Sequence, residues 1–297
     1  MNRADMQSLY QTRRDRKQKF ANQHHHYSDF GVLLHYWFDE RARAEAETEV
    51  LLYKLSRNEL GFQKLDRYLT AVSRPIELTR NLDGFLHHGD IVRLKWIDKS
   101  EGRHYFLAAL PFTIDDAGNF GEPCLATATE DSRIMSRSAF HVFRNRNDVA
   151  NHIPITYGEC IMICTLEGTG HKMLECQSTS LSSCARKSGH QEVKWVKELT
   201  GRSLWKVVHR EKSERRKTEG KYIPNNNNVV ITHLASGQNL AFEKGTVMNT
   251  VMGKEKEVAG HIYQDRFRRE EDENVWQFEA PSLKPEDYGG PISLPRC

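Results

Sequence analysis

The sequence lacks any Asn-x-Ser/Thr acceptor and any apolar run approaching the ~20 residues that span a bilayer. No apolar stretch of the kind that directs secretion opens it either. These absences predict a reducing, cytosol-type compartment and no membrane contact. Cys124, Cys160, Cys164, Cys176, Cys184 and Cys297, although even in number, are then expected as free thiols. Charge of one sign is equally scarce, since 43 basic and 40 acidic residues leave a net charge of only +3. With no aromatic-interleaved basic patch, that balance argues against nucleic acid as a partner. Catalytic signatures are missing as well: no Gly-x-Ser-x-Gly elbow, no Walker-type loop and no Gly-x-Gly-x-x-Gly occur. His87, His88, His233 and His261 lie in separate stretches, so no nucleophile–base pair is legible. The sequence predicts neither an enzyme nor a cofactor.

What is present is a pattern that recurs three times. The first copy opens at Gly89-Asp90-Ile91-Val92 and closes at Phe140. The second opens at Gly158-Glu159-Cys160-Ile161 and closes at Trp205, and the third opens at Asn228-Val229-Val230 and closes at Trp276. The openings stand 69 (158 − 89) and 70 (228 − 158) residues apart. One copy cannot bury its apolar face alone, whereas three can close on each other, so the spacing predicts a pseudo-threefold β structure. Trp205 and Trp276, at the ends of copies, are expected in its core. Such a fold does not by itself name a function.

Before the repeats the character differs. Residues 1–26 carry Arg3, Arg13, Arg14, Arg16, Lys17 and Lys19 against Asp5 and Asp15, then His24-His25-His26. That composition predicts an arm without structure of its own until a partner orders it. Val32, Leu33, Leu34, Tyr36, Trp37 and Phe38 follow as an apolar patch, and Asp39 reads as the N-cap of a helix over 41–55. A second helix is expected from about Asn58 to Val72, ended by Arg74-Pro75. Trp37 stands outside the repeats and is a candidate partner anchor. Past Ala280, Pro281, Pro285, Pro291 and Gly289-Gly290 predict an extended tail.

Cys160, Cys164, His171, Cys176, Cys184 and His190 invite a metal reading, but structural zinc sites use tight paired knuckles. Ile161, Met162 and Ile163 between the first two cysteines place both within a strand, so small buried thiols are the expectation and no metal is assigned.

Three blocks carry a resemblance to a known family. They are Gly31-Val32-Leu33-Leu34-His35-Tyr36-Trp37-Phe38-Asp39-Glu40, then Arg74-Pro75-Ile76-Glu77-Leu78 with Asp83 to Asp90, and the long run from Val230 through Gly237-Gln238-Asn239 and Gly253-Lys254-Glu255 to Trp276. Together they resemble the cilia- and flagella-associated protein 161 family, microtubule inner proteins of the axonemal doublet. The resemblance covers roughly residues 30–110 and 150–280. It implies a mainly β, MIR-like β-trefoil over residues 76–280, after a basic arm (1–30) and a helical segment (31–75), with a tail over 281–297. It further implies a structural role in the A-tubule lumen of ciliary doublets, against the luminal tubulin lattice and other inner proteins. Arg13, Arg14, Arg16 and Lys17 are then expected to meet acidic partner side chains, with Trp37 anchoring the junction, and both terminal arms to order along the wall. The alternative is a soluble trefoil that binds a ligand or glycan. That would need a shallow pocket with an aromatic platform, and the repeat loops show no recurrent Asp/Asn-plus-aromatic set.

Overall fold

The computed structural model describes residues 30–144, 149, 151–179 and 184–281. The chain divides into two compact units, one ending at Lys64 and the other beginning at Leu65. Helix α1 (Phe30–Ser56) is continuous for 27 residues. It therefore starts well before the expected 41–55 helix, and Asp39 lies inside it instead of capping it. The physical reason is that the apolar patch holds no Pro and only Val32 as a β-branched residue, so nothing interrupts helical backbone. Asn58, at φ 55°, ends the helix in the left-handed region. Its N–H donates to the Leu55 carbonyl (3.2 Å) and that of Glu59 to Lys54 (2.9 Å), the double bond of a Schellman end. Helix α2 (Gly61–Val72) then starts three residues later than expected. The Gln63 side chain accepts from the Leu60 N–H and donates back to the Leu55 carbonyl.

The last two turns of α2 belong with the second unit. Val72 is fully buried, the Tyr68 hydroxyl donates to the Pro111 carbonyl at 3.0 Å, and Ser136 Oγ donates to the Ala71 carbonyl at 2.6 Å. This unit is otherwise mainly β, and the twelve strands among its described residues fall into three sets of four. The first set is β1 (Ile91–Ile97), β2 (His104–Pro111), β3 (Cys124–Thr129) and β4 (Phe140–Phe143). The second is β5 (Cys160–Thr165), β6 (Met173–Cys176), β7 (Gln191–Val196) and β8 (Trp205–His209). A one-turn helix, α3 (Arg215–Thr218), precedes the third: β9 (Asn228–His233), β10 (Leu240–Thr250), β11 (Gly253–Gly260) and β12 (Val275–Glu279).

All pairings are antiparallel, and the sheet closes. The strands β11-β3-β2-β1-β12-β9-β8-β5-β6-β7 form a ten-strand circuit that β7 completes by pairing β11. Strand β4 bridges β1 and β5, so the first and last strands of each set also make a six-strand ring, β1-β4-β5-β8-β9-β12. The middle strands form hairpins β2–β3, β6–β7 and β10–β11, which pair with one another through β3, β7 and β11. Closure removes sheet edges, which explains how strands this short hold together.

The core repeats with the strands. Leu94, Ile163 and Ile231 are fully buried in β1, β5 and β9, and Phe140, Trp205 and Trp276 are fully buried in β4, β8 and β12. Trp205 and Trp276 are thus core residues as expected, and their indole N–H groups donate to the Leu174 and Leu240 carbonyls. One end of the ring is closed by three buried residues linked in a cycle. Leu86 N–H donates to Ile223 O (3.0 Å), Ile223 to Ile155 O (2.9 Å) and Ile155 to Leu86 O (2.7 Å). Three residues beyond each stands a left-handed turn, at Gly89 (φ 93°), Gly158 (φ 89°) and Asn226 (φ 59°). Each turn's N–H donates to the strand that ends its set, at Val142, Val207 and Phe278. None of the five described cysteines is in a disulfide, and Cys160 and Cys164 lie within β5. Burial pushes the Cys124 and Cys176 thiols up to about 12.

Candidate functional site

Helix α1 is about 40 Å long by its rise per residue, and its sequence falls into three parts. Its first third exposes Val32, Leu33, Leu34, Tyr36, Trp37 and Phe38; its last third exposes Leu51, Leu52, Tyr53 and Leu55. Between them Arg41 bonds Glu45 at 3.0 Å and Arg43 bonds Glu47 at 2.8 Å, the i,i+4 pairs of a solvated helix. A helix apolar all round at one end is built to be covered. Trp37 is 53% exposed, edge-on to Phe38 with ring centroids 5.1 Å apart, and the Arg41 guanidinium stands 5.5 Å from its ring. An indole this exposed leaves on the order of 100 Å² uncovered, worth about 2.5 kcal/mol when a partner buries it. Trp37, the candidate anchor, thus lies exposed on α1. Arg13, Arg14, Arg16 and Lys17, with the two terminal arms, lie outside the described residues.

The second unit carries a charged cleft of about 510 Å³ between the β1–β2 turn, the segment after β8 and the β11–β12 loop. Its ions largely satisfy one another. Asp272 Oδ1 receives both Lys99 (2.5 Å) and Arg210 (2.9 Å), Glu270 takes Lys212 (3.4 Å) and Arg215 (3.2 Å), and Asp98 takes Lys244 (3.4 Å). The Ser100 hydroxyl holds the Asp98 carboxyl below the usual range. Trp96 lines the cleft but is buried, stacked on Phe242 at 3.8 Å, with its N–H on the Asp272 carbonyl. A ligand there would have to break ion pairs and would find no exposed aromatic platform. The cleft reads as a clasp between loops of the first, second and third sets.

Sequence reasoning missed one histidine grouping. The β7–β11 register, Gly260 opposite Gln191, sets His261 beside His190, and the rings stack at 3.8 Å and 2°. His190 Nδ1 lies 2.8 Å from Glu243 Oε1, and the Tyr263 hydroxyl donates to Glu243 Oε2 at 2.7 Å. Burial, and then His190, hold the His261 pKa below its ordinary value; burial does the same to His233. Burial raises the Tyr263 phenol, and Glu243 raises it further. No spacing signal could have found this pair, because hairpins from different sets bring it together. Among the described residues, no group of three or more His, Cys, Asp or Glu is arranged to hold a metal ion.

A family model described as the cilia- and flagella-associated protein 161-like domain matches residues 72–280. The chain is 25% identical over 256 residues to cilia- and flagella-associated protein 161 of Danio rerio, covering 82% of this chain and 84% of that one. It is 26% identical over 262 residues to the Mus musculus protein of the same name, covering 83% and 86%. Among solved structures, the crystal structure of the SDF2-like protein from Arabidopsis thaliana superposes with a TM-score of 0.47 at 16% identity, over 65% of this chain and 94% of that one.

Proposed function

The chain belongs to the cilia- and flagella-associated protein 161 family, and from that premise we propose that it is a structural microtubule inner protein. In this reading it sits in the A-tubule lumen of ciliary and flagellar doublets, binds α/β-tubulin and neighbouring inner proteins, and stabilises the axoneme without catalysis. The observation that carries the binding part is α1, whose first and last thirds expose apolar side chains, Trp37 among those of the first. The family is named for association with cilia and flagella, which supports the place. The six-strand ring capped by three mutually paired hairpins supports reading the second unit as a β-trefoil, MIR-like, a rigid body suited to docking. The basic residues Arg13, Arg14, Arg16 and Lys17 would meet acidic partner side chains. Each exposed pair is worth at most about 1 kcal/mol, so the cluster acts together.

Tagged full-length protein expressed in a ciliated cell tests this reading. It should resist high-salt extraction of isolated axonemes and leave only when the doublet lattice is disrupted. Trp37→Glu should release it at salt concentrations that retain the unaltered chain, and deletion of residues 1–26 should weaken retention while the barrel stays folded. Release of the unaltered protein by salt alone would overturn the luminal placement.

A further inference from the structure

The β11–β12 loop carries the run Arg266-Phe267-Arg268-Arg269 at its tip, and all four residues are exposed. Phe267 is 62% exposed, with the Arg266 guanidinium 4.7 Å and the Arg269 guanidinium 5.2 Å from its ring centroid. An aromatic ring flanked by two cations is thus presented to solvent. Arg269 pairs with Asp265 at 3.1 Å, whereas Arg266 and Arg268 form no ion pair among the described residues. Of the acids that follow, Glu270 and Asp272 are already taken by Lys212, Arg215, Lys99 and Arg210. Neither Glu271 nor Glu273 pairs with an arginine of the tip.

The tip is held in shape from below. Asp265 Oδ1 accepts from the Phe267 N–H (2.8 Å) and the Arg269 N–H (2.9 Å), and Asp265 Oδ2 accepts from Arg269 Nε (3.1 Å). The backbone closes the same turn, with Arg268 N–H on Asp265 O and Asp265 N–H on Arg269 O, both at 2.9 Å. Gln264 and Glu270 bridge beneath it, and the Lys212 ammonium donates to the Arg268 carbonyl. One carboxylate therefore fixes the backbone while the side chains above it stay uncovered.

Arg268 supplies a second, independent observation. Its φ of 61° lies in the left-handed region, where glycine sits without strain and an L side chain does not. The turn alone would be made more easily by glycine. What an arginine adds at this position is an exposed charge, and strained backbone of this kind is found where a side chain has work to do.

We propose that this tip is a docking knob for an acidic stretch of a protein partner, with Phe267 meeting an apolar side chain and Arg266 and Arg268 meeting carboxylates. Arginines and aromatic rings are the groups that carry energy at interfaces, and guanidinium forks match carboxylate geometry. Because the backbone is already fixed, little ordering entropy is lost on binding. One aromatic ring and two unpaired cations are far fewer than a groove that tracks a nucleic-acid strand uses, so the charge pattern fits a short acidic segment of protein. The knob lies on the barrel, not on α1, and the inference does not rest on the proposed function.

Titration of the full chain into a fluorescent peptide of glutamates around one central leucine tests it. Arg266→Gln, Phe267→Ala and Arg268→Gly should each weaken binding about fivefold, as expected for one exposed contact, and binding should fall as salt rises. Arg268→Gly separates binding from folding, since glycine relieves the backbone and denaturant unfolding should show no loss of stability. Lys254→Gln removes an exposed cation of β11 and should bind the peptide as the unaltered chain does. No binding, or equal binding by all four variants, would overturn the proposal. So would an equal loss in Lys254→Gln, which would show general charge attraction, or tighter binding of oligothymidylate than of the peptide, which would assign the tip to nucleic acid.

Discussion

Three turn residues show how much a single position does here. Gly89, Gly158 and Asn226 all take left-handed backbone and send their N–H groups to β4, β8 and β12. Gly158→Ala should cost about 1–2 kcal/mol because an L side chain is strained there. Gly158→Asn should cost less, since Asn226 already fills the equivalent place; equilibrium urea unfolding of both variants checks the order. The sequence pattern opens its third copy at Asn228, two residues late, because an asparagine hides the position that glycine marks in the other two. The structural offset is 68 (226 − 158), and the spacing is otherwise legible. The stacked His190–His261 pair is not, since only three-dimensional register creates it. His261 and His233 have folded-state pKa values below their ordinary value of 6.5. The unfolded chain therefore binds more protons in that window, so stability should rise with pH up to about 6.5 and fall as pH drops below it. Thermal unfolding between about pH 5 and pH 7 should show this slope, and a double His233→Gln, His261→Gln variant should flatten it.

At the scale of elements, the junction between α2 and the barrel rests on a buried ion pair. Arg137, in the turn before β4, pairs with Glu255 of β11, and both side chains are 1% exposed. Ser136, beside it, holds the last carbonyls of α2. Arg137→Met alone or Glu255→Leu alone should cost about 3–5 kcal/mol, because each leaves a buried charge without its partner. The double replacement should recover most of that, as a denaturation double-mutant cycle would show; additive losses would count against the pairing. The two helices are legible from their composition, but their limits are not. Nothing in Gly31 to Phe38 stops a helix, so α1 runs back to Phe30 and takes in the aromatic patch that composition alone sets apart. Long-range partners such as Arg137 and Glu255, 118 residues apart, leave no local pattern to find.

For the whole molecule, the proposed docking role rests on a closed β body and an exposed aromatic helix together. The threefold spacing exposes the barrel in advance because each strand set must bury the same layers, Leu94 with Ile163 and Ile231, Phe140 with Trp205 and Trp276. A core replacement such as Trp276→Ala should cost about 3–5 kcal/mol in a denaturant titration, since it empties a fully buried site in one layer of three. The proposed binding surface is legible only as composition, because in that reading what covers α1 is another molecule. The most direct measurement is a cryo-electron-microscopy comparison of doublet microtubules from cells with and without this protein. The proposed function predicts loss of a compact barrel-sized density, with an attached helix, from inside the A-tubule. An unchanged lumen, or a loss confined to the outer surface, would contradict it.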